Sequence, residues 1–432
     1  MGRRTRNVLV FPGGTEPGLE IARALKGCKE VRLFAASSGD DNHAPLAFAE
    51  HAVIPDVFSD GWQEALNDLC RRWAIDIIYP AHDYVAEALV RQPHRLATPV
   101  IAAPAAVFAV TASKRATLSM FDGLIPVPGI LEATAVNAFP VFVKPDHGYG
   151  GQGALRVDSA PELEVALART RDPLVLEYLP GREFTVDCFS DRDRGVLFAA
   201  GRTRERIRMG TSMRSASAGA DRDALFLRHA QTIQSRLPLR GAWFFQMRED
   251  AAGTPRLLEV GARIAGTMAF NRVRGVNFPL LSIMEAERAP LSLLLNEAPT
   301  AIDRALTNRF AHRLRYRRVY VDLDDTLLLR GQVNVEVVAF LYQALNEGCE
   351  LVLLTKCLSD PHELLAAHRM AGLFDRVTHL AEHESKADHI DADGAIFIDD
   401  SFSQRVEVAE RHGIPTFDPS MVELLTNDRI RP

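Results

Sequence analysis

Short apolar runs alternate with helical patterns over the first hundred residues of the chain. The elements that this pattern predicts are, in order, a strand at 8–11, a helix over 19–25, a strand at 31–35, a helix around 61–73 and a strand at 75–79. Strands that alternate with helices usually pair in parallel, with the helices packed on the faces of the sheet. We therefore expect a parallel α/β domain over residues 1–110.

The middle of the chain has a different pattern, with strands rich in Val and Phe. Residues 139–153 and 174–187 each contain a strand, a turn or loop, and a further strand. Two later apolar strands end near Gln246 and Glu259, which is typical of an antiparallel pair. The pattern predicts an α+β domain over residues 111–295.

Apolar strands that end in polar residues return in the last part of the chain. We expect an α/β domain over residues 316–432. The stretch 296–315 is rich in Arg and lacks a long apolar strand. It is predicted to be a connector whose arginines lie on solvated helix faces.

Composition narrows the class of protein. A chain of 432 residues is long enough for two or three domains, and 47% hydrophobic with 25% charged residues is typical of a globular protein. A net charge of -6 disfavours nucleic acid as the main partner. The five cysteines include no CxxC pair, and no apolar run reaches membrane-spanning length. With no signal-peptide pattern at the start, we expect a cytoplasmic protein without a membrane partner.

One apolar strand of the last domain delivers Asp322 and Asp324, two positions apart. Since residues i and i+2 of a strand share a face, Asp322 could attack phosphorus while Asp324 protonates the leaving oxygen and later activates water. Thr355 and Lys386 would then bind the phosphoryl oxygens. Clustered carboxylates and a phosphoryl group repel one another, which calls for Mg²⁺. The candidate metal ligands are Asp322, Asp399 and Asp400.

These four segments resemble the motifs of the haloacid dehalogenase (HAD) phosphatase superfamily over residues 316–432. The resemblance implies a Rossmann-like domain in which the same positions serve as nucleophile, acid/base, phosphate anchors and metal ligands. The short spacings from Asp322 to Thr355 and from Thr355 to Lys386 leave no room for a large cap domain. The structural alternative is that strand-ending aspartates cap the helices that follow. Asp325 should face away from the site and have a solvent or capping role.

In the middle domain, Lys144 closes an apolar strand and is followed by a loop with glycines at 148, 150, 151 and 153. Backbone N–H groups of such a loop can approach phosphate oxygens, and the lysine adds a fixed positive charge. A glycine-rich loop alone is often only a hairpin or a lid. The strand ending at Leu179 could offer its backbone to an adenine edge, while Glu177 and Glu183 accept from the amino group and the ribose hydroxyls.

A third segment of the middle domain offers metal ligands. Gln246 and Glu259 end two apolar strands and could present oxygens to a Mg²⁺ that bridges nucleotide phosphates. Arg263, four residues beyond Glu259, could bind a phosphate or an acyl phosphate through two hydrogen bonds. Gln246 alone would be an ordinary polar residue at a strand end.

In this order the segments resemble the ATP-grasp superfamily, specifically its carbamoyl-phosphate-synthetase-like and D-alanine-ligase-like carboxylate ligases, over residues 8–290. The resemblance implies an N-terminal pre-ATP-grasp domain, a central ATP-grasp domain, and ATP with Mg²⁺ as cofactors. It assigns the ATP phosphates to Lys114 and Lys144, adenine and ribose to Glu177 and Glu183, and Mg²⁺ to Gln246 and Glu259. Further candidate cofactor-binding residues are Gly150 and Gly151 of the loop and Leu179 of the strand. Gly261 stands where the family has a metal-binding asparagine.

Other features of the first two domains have two interpretations each. Gly13, Gly14 and Gly18 resemble a dinucleotide fingerprint only loosely, and a tight turn that needs glycine is the favoured interpretation. His82 and Asp83 follow a strand where ligands of open α/β sheets gather, but a capping Asp and a surface His fit as well. The alternating arginines could turn one strand face toward an anionic ligand or toward solvent; they are Arg202, Arg204, Arg206 and Arg208.

The sequence therefore predicts two enzymes in one chain. The first would be an ATP-dependent ligase that joins a small-molecule carboxylate to an amine through an acyl phosphate. The second would be a phosphatase acting on a phosphorylated metabolite. Two alternatives remain: an ATP-sensing module that regulates the phosphatase, and an ATP-grasp kinase acting on a hydroxyl. Ligases of this type are often dimers, so a homodimer is possible.

Overall fold

The chain folds into two compact units. A computed structural model describes residues 5–148, 151–208, 210–296, 300–307 and 309–427. In this described part, unit 1 ends at residue 307 and unit 2 covers 309–427. No helix among these residues combines the length and the apolar character needed to cross a bilayer.

Unit 1 begins with a parallel sheet and its helices. The elements are β1 (Arg6–Phe11), α1 (Glu16–Leu25), β2 (Val31–Ser37), α2 (Ala44–Ala47), β3 (His51–Val53), α3 (Trp62–Arg72), β4 (Ile77–Pro80), α4 (Asp83–Arg91), a 3-10 turn (Pro93–Arg95), α5 (Ala105–Thr111) and α6 (Lys114–Phe121). The strand order is β3-β2-β1-β4, and all three pairings are parallel. The predicted parallel sheet is confirmed.

The apolar run in β1 explains its central place in this sheet. Val8, Leu9 and Val10 have no solvent exposure, as expected for a strand covered on both faces. The helix α1 then begins at a capped turn, where the Thr15 hydroxyl accepts a hydrogen bond from the Gly18 N–H at 3.2 Å. The turn and the start of the helix are thereby fixed beside the end of the strand.

The rest of unit 1 is built mainly from antiparallel strands. Its elements are a 3-10 turn (Ala133–Ala135), β5 (Val141–Pro145), β6 (Leu155–Val157), α7 (Ala160–Arg169), β7 (Pro173–Glu177), β8 (Glu183–Asp191), β9 (Gly195–Thr203), β10 (Arg206–Arg208), β11 (Thr211–Ala216), α8 (Ala220–Arg236), β12 (Gly241–Glu249), β13 (Pro255–Gly261), a 3-10 turn (Gly266–Met268), α9 (Ala269–Arg272), α10 (Phe278–Ala286) and β14 (Ala301–Asp303).

These strands form three sheets. The largest has the order β13-β12-β8-β9, and the two smaller ones are β6-β5-β7 and β10-β11-β14. The pairing of β12 with β13 confirms the predicted antiparallel pair. The stretch 296–315 was predicted to be a connector, but it contains the strand β14, which pairs with β11. Part of this Arg-rich stretch therefore belongs to a sheet of unit 1.

Unit 2 is a separate α/β unit with its own core. Its elements are β15 (Arg318–Val321), β16 (Leu328–Leu329), β17 (Gln332–Val333), α11 (Val335–Asn346), β18 (Glu350–Thr355), α12 (Pro361–Ala367), β19 (Arg376–His379), a 3-10 turn (Lys386–His389), β20 (Ala395–Ile398), α13 (Phe402–His412), β21 (Thr416–Phe417), a 3-10 turn (Pro419–Met421) and α14 (Val422–Leu425). Five strands form a parallel sheet in the order β19-β18-β15-β20-β21. The carboxyl ends of β18, β15 and β20 therefore meet at one edge.

Candidate functional site

A cavity of about 690 Å³ opens in unit 1. This volume is in the range of pockets that bind small molecules and cofactors. The residues predicted to bind nucleotide, metal or acyl phosphate line it together, namely Lys114, Lys144, Gly151, Glu177, Leu179, Glu183, Gln246, Glu259 and Arg263. Gly150, predicted to belong to the same group, lies outside the described residues.

Lys144 extends from β5 into this cavity with only 7% of its surface exposed. Its Nζ lies 3.5 Å from the backbone oxygen of Leu258, which belongs to the facing strand β13. Burial lowers the pKa of the Lys144 ammonium to about 8, although the nearby Glu259 carboxylate opposes this shift. A buried cation with little hydrogen bonding is well suited to an incoming anion.

Lys114 is the second ammonium of the cavity and lies at the first turn of α6. Its Nζ donates to the backbone oxygens of Gly148, at 2.8 Å, and Asp146, at 3.2 Å. The Asp146 carboxylate in turn accepts from the Ser113 hydroxyl and the Arg115 N–H, which ties α6 to the end of β5. Burial lowers the pKa of Lys114 as well.

The glycine-rich loop follows β5 and borders the cavity. Gly151 and Gly153 both have φ of +70°, a left-handed conformation that disfavours any residue with a Cβ. Gly148 and Gly151 line the cavity wall. The glycines are therefore required by the backbone of the loop, whether or not a phosphate binds there.

Glu183, at the start of β8, is held by two arginines. Its carboxylate lies 2.7 Å from Arg204 Nε and 3.5 Å from Arg248 Nη1. Glu177 is held more loosely: it accepts from the Gly129 N–H at 3.2 Å. The pairing of Glu183 with Arg204 was missed from the sequence, where the alternation of arginines was the available signal.

Gln246 and Glu259 lie directly opposite each other on β12 and β13. Both are half-buried and line the cavity, so one amide oxygen and one carboxylate face the same space. These are the oxygen donors that Mg²⁺ prefers, and the pair fits the predicted metal. Phe244 and Gly261 form another opposed pair on the same two strands.

Arg263 follows β13 and is held on three sides. Its Nε donates to Asp83 Oδ2 at 2.7 Å, and its Nη1 donates to the backbone oxygen of Ile264 at 2.9 Å. The guanidinium carbon lies 5.3 Å from the centre of the Phe244 ring. Asp83 is thus an ion-pair partner of Arg263, while its neighbour His82 lines the cavity.

Two further arginines line the cavity. Arg202 is 1% exposed and donates to both carboxylate oxygens of Asp187, at 2.9 and 3.1 Å. Arg304 comes from the predicted connector and donates to Glu16 Oε2 at 2.9 Å. The prediction that the arginines of this stretch lie on solvated helix faces is wrong for Arg304, because this residue directly follows β14 and lines the cavity.

Unit 2 brings three carboxylates together at the carboxyl edge of its sheet. Asp322 follows β15, and Asp399 and Asp400 follow the neighbouring strand β20. One carboxylate oxygen from each of the three lies within 4.8 Å of the others, which is close enough for one cation. The predicted metal ligands of unit 2 therefore lie together and fit Mg²⁺.

Lys386 lies between two of these acids. Its Nζ donates to Asp322 Oδ1 and to Asp399 Oδ2, each at 2.6 Å. Burial raises the pKa of Asp322 to about 6; the Lys386 ammonium opposes this shift and Asp399 adds to it. Burial would lower the pKa of Lys386, but the two carboxylates raise it on balance.

The remaining predicted residues of unit 2 lie at the same edge. Thr355 ends β18 and is fully buried; its hydroxyl accepts from the Cys357 N–H at 3.2 Å. Asp324 lies two residues beyond Asp322 and is exposed, which leaves its carboxylate open to a substrate. Asp325 is also exposed and has φ of +53°.

Comparison with known proteins bears on the fold of the chain. The family described as ATP-grasp in the biosynthetic pathway with Ter operon matches residues 169–302. No curated protein matches the chain.

Solved structures of nucleotide-bound enzymes are similar in fold. The biotin carboxylase domain dimer of Hydrogenobacter thermophilus 2-oxoglutarate carboxylase, in complex with MgADP, ADP and bicarbonate, is 17% identical with a TM-score of 0.56, over 67% of this chain and 71% of that one. Campylobacter jejuni biotin carboxylase, in a complex named as beta-gamma-ATP, is 16% identical with a TM-score of 0.56, over 68% and 74%.

A third similar structure is N5-carboxyaminoimidazole synthetase from Staphylococcus aureus complexed with ADP. It is 13% identical, with a TM-score of 0.55 over 68% of this chain and 80% of that one. At such identities the likeness concerns the fold alone. Together with the family match, it identifies an ATP-grasp domain in this chain that includes residues 169–302.

Proposed function

We propose that unit 1 is an ATP- and Mg²⁺-dependent ligase that joins a carboxylate to an amine. The observation that carries this proposal is the meeting of two lysines, Glu259 and Arg263 around one cavity large enough for a nucleotide. The nucleotides named with the similar structures support the same ligand class. Lys114 and Lys144 would bind the phosphates, and Glu177, Leu179 and Glu183 the nucleoside.

The reaction has two steps. A substrate carboxylate oxygen attacks the γ-phosphorus of ATP, and the bond from this phosphorus to the β-γ bridging oxygen breaks. ADP is released, and the carboxylate has become an acyl phosphate. The amine then attacks the acyl carbon, loses a proton and displaces orthophosphate. Mg²⁺ held by Gln246 and Glu259 would supply positive charge at the phosphates. The protein's own contribution is position and charge: Lys144 neutralises phosphate oxygens, and the Asp83 carboxylate fixes the Arg263 guanidinium.

ADP formation tests this proposal. Purified full-length protein with ATP, Mg²⁺ and pools of carboxylates and amines should form ADP, and a Lys144→Ala variant should form at least tenfold less. Lys26→Ala is the control, because it changes a lysine that does not line the cavity. ADP formation no higher in wild type than in Lys144→Ala would refute the ligase.

For unit 2, we propose phosphomonoester hydrolysis through an aspartyl phosphate, as in the HAD superfamily. The supporting observation is the cluster of Asp322, Asp399, Asp400 and Lys386 at one sheet edge. An Asp322 oxygen would attack phosphorus as the ester P–O bond breaks, and Asp324 would give its proton to the leaving oxygen. Asp324 would then take a proton from water, which attacks phosphorus, releases orthophosphate and restores Asp322.

Hydrolysis of p-nitrophenyl phosphate tests this second activity. Asp322→Asn should remove hydrolysis, because an amide cannot act as the nucleophile. Asp325→Asn is the matched control: it is exposed, and asparagine tolerates the left-handed backbone at that position. Hydrolysis that persists in Asp322→Asn would exclude Asp322 as the nucleophile.

A further inference from the structure

The cavity face of the β12–β13 pair carries two opposed pairs of residues. Gln246 faces Glu259, and Phe244 faces Gly261. Since side chains two positions apart on a strand share a face, Phe244 and Gly261 lie on the same face as the two oxygen donors. The identity of this second pair decides how many cations the strands can hold.

The Phe244 ring occupies the space that a side chain at position 261 would need. A Cβ on Gly261 would lie 2.4 Å from Cζ and 2.5 Å from Cε1 of that ring, far inside van der Waals contact. Phe244 is 5% exposed and packs in the core of unit 1, so its ring has little room to move. Position 261 therefore offers no side-chain oxygen, and an aromatic ring is not a ligand for Mg²⁺.

A fixed guanidinium lies on the same ring. Arg263 Cζ is 5.3 Å from the ring centre of Phe244, and its Nε is paired with Asp83 Oδ2 at 2.7 Å. The ring and the carboxylate thus hold a permanent positive charge beside the Gln246–Glu259 pair, at a position where the guanidinium still lines the cavity.

The other carboxylates that line the described part of the cavity are engaged. Glu183 is paired with Arg204 at 2.7 Å, Glu16 with Arg304 at 2.9 Å, and Glu177 lies 3.8 Å from Arg256. Glu259 is the cavity carboxylate for which no ion pair within 4.0 Å occurs among the described residues. A single carboxylate thus remains for metal binding.

We propose that this site binds one divalent cation with its nucleotide, at Gln246 and Glu259, and that Arg263 supplies the charge a second cation would bring. The proposal rests on the nucleotide binding proposed above. It gives Phe244 and Asp83 positioning roles: both act by holding the Arg263 guanidinium.

The number of bound Mn²⁺ ions tests the proposal directly. Full-length protein saturated with a non-hydrolysable ATP analogue is titrated with Mn²⁺, and free Mn²⁺ is followed by electron paramagnetic resonance. Because unit 2 has its own carboxylate cluster, the titration is done with an Asp322→Asn/Asp399→Asn variant. Only Mn²⁺ ions that bind in the presence of the analogue and not in its absence are counted. One nucleotide-dependent Mn²⁺ per chain is expected; two would overturn the proposal.

Failure of the proposed function has a different signature. Binding of the analogue itself is measured in parallel by equilibrium dialysis, with and without Mn²⁺. Absence of analogue binding under both conditions would overturn the nucleotide site and this inference together. Bound analogue with two Mn²⁺ ions would overturn the inference alone.

A gain of metal provides an independent test. Phe244→Ala/Gly261→Asn removes the ring and adds an amide oxygen opposite it, so the nucleotide-dependent count should rise to two. Phe244→Ala alone should keep a count of one, and it controls for the loss of the ring. A double variant that is folded by circular dichroism and still binds one ion would contradict the role given to this pair.

Discussion

Lys144 is the residue on which the nucleotide site depends most. It combines a positive charge with near-complete burial, and this burial lowers the pKa of Lys144 to about 8. In unit 2, Lys386 has the opposite situation, because Asp322 and Asp399 already stabilise its charge. We therefore expect the two lysines to respond differently to pH and to substitution.

The affinity for ADP should fall as the pH rises through about 8. The Lys144 ammonium loses its proton in the free protein around that pH, and the neutral amine cannot attract phosphate. Isothermal titration calorimetry from pH 6.5 to 9 checks this. A Lys144→Arg variant, which stays charged, should lose this pH dependence; a wild-type affinity constant across the range would contradict the expected role.

Lys386→Met should destabilise unit 2 by about 3–5 kcal/mol at pH 8, because it leaves Asp322 and Asp399 buried without their cation. This destabilisation should become smaller as the pH falls toward 5. The pKa values of Asp322 and Asp399 are raised in the folded state, so the folded form takes up protons more readily than the unfolded form and is favoured at lower pH. Calorimetric unfolding of unit 2 measures this. Mg²⁺ should restore part of the stability.

Lys356→Met is the matched control for this experiment. Its ammonium is bonded to a backbone oxygen, that of Glu382 at 3.1 Å, and to no carboxylate within 4.0 Å among the described residues. Its loss should cost less than about 1 kcal/mol. Equal losses in the two variants would show that the buried cluster does not depend on Lys386.

At the scale of elements, most of the positions that the sequence could predict are at the ends of strands. Asp322, Thr355 and Asp399 end neighbouring parallel strands, so a repeated local pattern was enough to place them at one edge. The pairings of Glu183 with Arg204 and of Phe244 with Gly261 could not be predicted, because they depend on the register between strands. Arg304 reached the cavity through β14, a three-residue strand too short to show a pattern.

Packing around the turn between β1 and α1 favours a tight turn over a dinucleotide fingerprint as the reason for its glycines. A Cβ on Gly13 would lie 2.7 Å from Ala35 Cβ, and one on Gly18 would lie 2.6 Å from the Pro12 carbonyl oxygen. Close packing explains both glycines without a bound phosphate: Gly13 lies against the Ala35 side chain, and Gly18 lies against the backbone of the turn. The favoured sequence interpretation, a tight turn, has the same physical basis.

Gly18→Ala should therefore destabilise unit 1 by about 1–3 kcal/mol, since the backbone atoms that its Cβ meets cannot move aside. Urea denaturation followed by tryptophan fluorescence is a suitable measurement, because all three tryptophans lie at positions 62, 73 and 243 of unit 1. Gly27→Ala, where a Cβ would meet no atom within 4 Å, is the control and should be nearly neutral. A neutral Gly18→Ala would argue against the packed turn.

At the scale of the whole molecule, each candidate site is built from the residues of one unit. All described residues that line the cavity belong to unit 1, and the carboxylate cluster lies within unit 2. The two activities should therefore be separable by single substitutions. Lys144→Ala should remove ADP formation and keep hydrolysis of p-nitrophenyl phosphate, and Asp322→Asn should do the reverse. Nucleotide binding without ADP formation, together with a phosphatase rate that changes when ATP binds, would instead favour a nucleotide-sensing unit that regulates the phosphatase.

The most direct test of the account is calorimetric titration of the full-length protein with MgADP. We predict one binding site per chain, and an affinity that falls by about 10- to 100-fold in Lys144→Ala, whose fold is checked by circular dichroism. Binding that is undetectable in the wild type, or equally tight in the variant, would contradict the central claim that the cavity of unit 1 is a nucleotide site.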